Sequence, residues 1–65
     1  MNKTISYSEG LSALVEFFGN ETPSIVEIGE STINFMVNKI KEIVETMPSL
    51  TKLADVAIKF LNQLL

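Results

Sequence analysis

The chain has no cysteine and no histidine, and its five cations are all lysine, so arginine is missing as well. Without cysteine there is no disulfide staple, and without cysteine or histidine a structural zinc ion has none of its usual ligands. The same three absences remove the common general base, the thiolate nucleophile and the bidentate anion clamp of enzymes. Base-edge readout in nucleic acids favours the arginine fork, and phosphate backbones select clustered cations, so five lysines against eight acidic residues argue against a nucleic-acid partner. Long apolar runs are missing too. The longest stretch without a formal charge is Ser31 to Asn38, far short of the ~20 residues that cross a bilayer.

What is present is apolar content, 46% of 65 residues, broken by only two prolines and three glycines. A chain this short forms one domain, residues 1–65, and its folding balance lies near zero. Close helix packing, self-association or an apolar partner surface is the compensation left to it. The charge is uneven: residues 1–32 carry Lys3 against Glu9, Glu16, Glu21, Glu27 and Glu30, whereas residues 33–65 carry four lysines against Glu42, Glu45 and Asp55. The first ten residues, MNKTISYSEG, contain no apolar signal core and no small-residue cleavage site. Synthesis in the cytoplasm without a Sec signal is therefore expected, with a leaderless route for any export.

Apolar spacing is helical nearly throughout. Ser6-Tyr7-Ser8-Glu9 has the capping-box form, and Leu11, Leu14, Val15 and Phe18 follow at i, i+3, i+4 and i+7, which predicts a helix over 7–18. Gly19-Asn20 is the expected C-terminal cap, and Thr22-Pro23 the restart. From Pro23 to Met47 a stripe of Val26, Gly29, Ile33, Met36, Ile40, Ile43 and Met47 continues at heptad spacing. An unbroken helix there would reach about 37 Å beside a neighbour of about 18 Å, leaving part of it unpacked unless a dimer covers it. A break is favoured, with Gly29 as a left-handed terminator and Ser31 or Thr32 as the next cap. Pro48 ends this segment at Met47, and Ser49 is the expected cap of the last helix. Leu50, Leu53, Ala54, Ala57, Phe60, Leu61 and Leu64 form the inner face of that helix, while Val56, Ile58 and Leu65 fall outside the seam. An apolar arc this wide predicts a helix central to a bundle or in touch with a second surface. The fold expected is all-α: a small bundle of three helices, or four where the second is split near Gly29.

Candidate sites are few. Glu42 with Glu45, and Glu27 with Glu30, sit one turn apart, a spacing that on short amphipathic helices marks solvated faces. Lys39 to Glu42, Lys41 to Glu45 and Asp55 to Lys59 match supportive ion-pair spacing. No loop concentrates the oxygens that calcium requires. Tyr7, Phe17, Phe18, Phe35 and Phe60 fall at helical spacing and are expected to pack. Ser31, following Gly29-Glu30 at a helix start, has N-capping as its ordinary role.

Two resemblances add specific expectations. Ile28-Gly29-Glu30-Ser31-Thr32-Ile33, together with Pro48-Ser49-Leu50-Thr51-Lys52-Leu53-Ala54, resembles the phosphopantetheine region and last helix of acyl and peptidyl carrier proteins, with Glu30 where carriers have Asp or His. That resemblance implies Ser31 as a cofactor attachment site; no other cofactor and no metal is expected. The run from Ile28 to Ile43 is similar to the C-terminal helix of leaderless, saposin-like bacteriocins, compact helical peptides that act on bacterial membranes. It implies that Phe35, Met36, Ile40, Phe60, Leu61 and Leu64 enter a membrane interface while Lys39, Lys41, Lys52 and Lys59 touch headgroups.

The function expected is therefore non-enzymatic, exercised through an amphipathic surface. A bacteriocin-like, membrane-active antimicrobial peptide is its most specific form. There are two alternatives. One is a small regulatory or inhibitory protein-binding module, with a homodimer as one form of it, in which the same apolar residues make the contact. The other is a truncated carrier-like protein.

Overall fold

The computed structural model describes residues 4–21 and 29–65. Three α-helices make up most of it: α1, Tyr7–Phe18; α2, Glu30–Thr46; and α3, Thr51–Gln63. No strand occurs among the described residues, and the fold is a small all-α bundle. The restart expected at Thr22-Pro23, and Val26 and Glu27 with it, lie outside the described residues.

Local chemistry sets the ends of α1. Ser6, in extended conformation, accepts a hydrogen bond on its hydroxyl from the Glu9 N–H at 3.2 Å, satisfying one of the orphan amides of the first turn. Gly19 closes the helix with its N–H bonded to the Val15 carbonyl, at φ 57°, where a side chain would be strained.

The start of α2 departs from expectation. Gly29 is not left-handed: its φ of −100° and ψ of 175° are extended, and it serves as the N-cap itself. Its carbonyl takes the Ile33 N–H at 3.0 Å, which places Ser31 and Thr32 inside the first turn rather than at the cap. A continuous helix from Pro23 to Met47 is thereby ruled out. Met47 ends α2 at φ −133° and ψ 71°, the non-helical backbone that a following proline imposes. The linker to α3 corrects another assignment. Pro48–Leu50 is a 3-10 turn, so Leu50 and not Ser49 occupies the N-cap of α3. The Thr51 hydroxyl donates back to the Pro48 carbonyl at 2.6 Å, which makes a tight hairpin of α2 and α3.

Both other helices pack on α3, which answers the wide apolar arc with a central position. The core comprises Ile5, Ala13 and Leu14 from the N-terminal strap and α1, Ile33, Met36 and Ile40 from α2, and Ala54, Ala57, Phe60 and Leu61 from α3. No polar side chain is buried among the described residues. α1 and α3 come close together at Gly10. A Cβ on Gly10 would fall well under 3.0 Å from three carbons of the Phe60 ring, so the ring occupies the space a side chain at Gly10 would need. Tyr7, one turn earlier, meets the same ring edge-on, with centroids 6.1 Å apart and planes at 87°.

Candidate interaction face

Burial divides α3 into an inner arc and an outer ridge. Ala57, Phe60 and Leu61 are sealed inside. The ridge carries Asp55 and Lys59, paired at 2.9 Å with both side chains more than 60% exposed. Such a pair contributes at most a few tenths of a kcal/mol to the helix. On either side of the ridge stand Val56 and Ile58, half-buried and packed against the core. Their places on opposite flanks follow from the helical step of about 100° per residue, which sets each about 80° from the centre of the ridge.

Each flank opens into a groove. On the α1 side a hollow of about 640 Å³ is lined by Ile5, Glu9, Val56, Lys59 and Gln63 among others. On the α2 side a shallower one of about 250 Å³ runs between Lys41 and Val44 of α2 and Ala54, Asp55 and Ile58 of α3. Asp55 borders both grooves, so the charged ridge runs down the middle of this face, with a mainly apolar hollow on the α2 side and a mixed, largely polar-lined one on the α1 side.

One end of this face is fixed by a contact between the two ends of the chain. The Gln63 side-chain amide pairs with the backbone of Ile5 in both directions: the Ile5 N–H donates to Gln63 Oε1 at 2.9 Å, and Gln63 Nε2 donates to the Ile5 carbonyl at 2.8 Å. The amide thereby mimics a sheet rung, and it holds Ile5 in the core. Gln63→Ala removes both bonds and leaves the Ile5 backbone to water. The expected loss is about 1–2 kcal/mol at roughly 1 kcal/mol per bond, measured by urea unfolding.

The residues named from the sequence are dispersed rather than gathered. Met36, Ile40, Phe60 and Leu61 lie in the core, at most 2% exposed, and are not on the surface of the folded bundle. The periodicity that marks a lipid-facing stripe also marks a core-facing one, and here the other helices cover it. Leu64 is half-buried; Phe35, Lys39, Lys41, Lys52 and Lys59 are exposed. Lys39 sits with its ammonium 5.6 Å from the Phe35 ring centroid and also pairs with Glu42 at 3.3 Å. Lys41 and Glu45 do not close to ion-pair distance among the described residues. Ser31 is exposed on the first turn of α2. The described acidic residues form no cluster of three that would hold a metal ion.

Sequence reasoning missed Gly10, Ile5 and Gln63. A glycine inside a helix costs about 1 kcal/mol against alanine, so Gly10 in the middle of a strong helical pattern is itself a signal of close approach. Gln63 offers none, since its partner is the backbone of a residue 58 positions away.

The fold is a small all-α bundle, and this face sets half-buried apolar side chains beside an exposed ion pair. No family model, curated protein or solved structure matches the chain.

Proposed function

We propose that the protein is a non-enzymatic binding module that works through the outer face of α3. The observation carrying this reading is the pair Val56 and Ile58, apolar side chains left half-buried on both sides of an exposed Asp55–Lys59 ridge. Apolar side chains flanking a charged pair offer a partner both contact area and a charge pattern to recognise.

A second reading, the bacteriocin-like one, draws support from Phe35. The residue is 59% exposed with the Lys39 ammonium over its ring, the aromatic and cationic pairing favoured at a membrane interface. Under that reading Met36, Ile40, Phe60 and Leu61 reach lipid only after the bundle opens, because all four are sealed in the core. Opening would expose the surface that offsets the ordering entropy of the chain. The net charge of −3 adds no overall attraction to anionic lipid.

The two readings separate in one assay. Micromolar protein added to dye-loaded vesicles of phosphatidylglycerol and phosphatidylethanolamine is expected to release no dye above background. Its circular dichroism should remain that of the free protein. Leakage that rises with protein concentration contradicts the binding-module reading and supports the membrane one.

A further inference from the structure

Ile5 and Gln63 meet across 58 positions of sequence, and we infer that their contact is a latch: the strap of Thr4 and Ile5 releases from α3 as a unit while the three helices stay packed. Closed, the strap supplies both of its residues to the wall of the hollow on the α1 side. Open, it leaves that hollow bordered by Glu9 of α1 and by Asp55, Val56, Lys59 and Asn62 of α3.

What release breaks is small and local. Ile5 is the one core residue among those described that lies outside the helices, and both of its backbone groups are paired with a single side chain, the Gln63 amide. No helical bond passes through the strap. The ladder of α1 starts one residue later, at Ser6, whose carbonyl accepts the Gly10 N–H at 2.9 Å and whose hydroxyl accepts that of Glu9. The other side-chain hydrogen bonds and ion pairs between described residues join positions three or four apart, so they persist when the strap leaves. Thr4 and Gln63 are exposed, and the groups that part company turn to water rather than to a dry interior. Unfolding a helix, by contrast, uncovers Leu14, Phe60 and Leu61 from the sealed core. An opening that gives up one buried side chain lies at the low end of the free energies a fold spans.

The closed state is nonetheless specific. Donor and acceptor of one planar amide meet the acceptor and donor of one residue, and a slip by one position in either direction would put Thr4 or Ser6, both polar, where Ile5 is buried. The strap therefore has one closed register and an open state, not a series of intermediate ones. Release follows from this geometry alone; its consequence for what docks in the α1-side hollow rests on the binding-face reading above.

Native-state hydrogen exchange across a series of low urea concentrations tests the latch directly, because the Ile5 amide donates to Gln63 and to nothing in a helix. In the wild type that amide should be protected, yet exchange at least about tenfold faster than the amides of Leu14, Ala57 and Leu61. Its rate should also be nearly independent of urea, since opening exposes little surface, whereas the three core amides should quicken steeply. Gln63→Ala should bring the Ile5 amide close to the rate of an unstructured chain while the far-ultraviolet circular dichroism stays that of the wild type. Ile5→Ala keeps both backbone bonds but removes the buried side chain, and the amide at position 5 should then exchange severalfold faster than in the wild type. An Ile5 amide that shares both the rate and the urea dependence of the core amides overturns the latch, because the strap would then leave only when the whole fold does. An Ile5 amide without protection in the wild type, or one that Gln63→Ala does not quicken, overturns it as well. None of these results touches the binding-face reading, which falls instead on vesicle leakage.

Discussion

Phe60→Ala is expected to leave a large fraction of the chain unfolded at 25 °C. Removing a buried phenylalanine typically costs about 3–5 kcal/mol, while a domain of this length has about 3–10 kcal/mol in total. Phe60 lies at the upper end of that cost for reasons visible in its surroundings. The residue is 1% exposed, it is the largest fully buried side chain among the described residues, and it packs on α1 at Gly10 with Tyr7 edge-to-face against it. Backbone cannot rotate into a cavity as a side chain can, so little of the vacated space will be recovered. Far-ultraviolet circular dichroism should show the helical signal of the variant much reduced and its thermal transition broadened or lost. A variant that melts within a few degrees of the wild type would mean that the α1–α3 contact does not hold the bundle together.

Gly10→Ala is expected to destabilise the protein even though alanine is the better helix former. Intrinsic propensity favours the substitution by about 1 kcal/mol. Against it stands the new methyl, which would lie closer to three ring carbons of Phe60 than real Cβ atoms come, so either the ring leaves its place or α1 moves off α3. Overpacking a tight core site costs about 1–3 kcal/mol, and a clash with a fully buried ring belongs at the top of that range. The net effect is a loss of about 1–2 kcal/mol. The sign should reverse when the ring is absent. In a Phe60→Ala background, Gly10→Ala meets an empty space and retains only its propensity gain, so the double variant should be more stable than Phe60→Ala alone by about 1 kcal/mol. Urea titrations in a stabilising osmolyte would measure both arms. Destabilisation of the same size in the two backgrounds would show that Gly10 matters for a reason other than the ring.

Elements governed by neighbouring residues are legible in the sequence. The limits of α1 follow from Ser6, Glu9 and Gly19, and the end of α2 follows from Pro48, because caps and proline act within one turn. The central position of α3 is legible as well, from an apolar arc too wide for one neighbour. Gly29 shows where local reasoning stops. A glycine between helical stretches fits a left-handed terminator and an N-cap equally, and the choice depends on where the chain must go next. Ser49 fails as a cap for a related reason: Pro48 opens a 3-10 turn that delivers the chain into α3 without a side-chain cap.

Met36, Ile40, Phe60 and Leu61 pose the larger difficulty. Periodicity identifies the face of a helix that avoids water but not what covers it, and in this bundle the cover is the other two helices. Once those residues are assigned to the core, the large apolar side chains left exposed among the described residues are Tyr7, Val15, Phe35, Met47 and Leu65, while Val56 and Ile58 are half-buried on the flanks of α3. On α2, Phe35 has the Lys39 ammonium over one side of its ring.

The central claim is that α3 has two faces with separate tasks, an inner arc that holds the fold and an outer ridge that is left for a partner. Residue-resolved nitrogen–proton spectra of the wild type, recorded from millimolar concentration down to micromolar, test it most directly. Concentration-dependent shifts should be confined to the ridge and its flanks, at Asp55, Val56, Ile58, Lys59 and Asn62, with the amides of Phe35, Asn38 and Lys39 on the outer side of α2 unmoved. Shifts centred on Phe35 and Lys39 would contradict it.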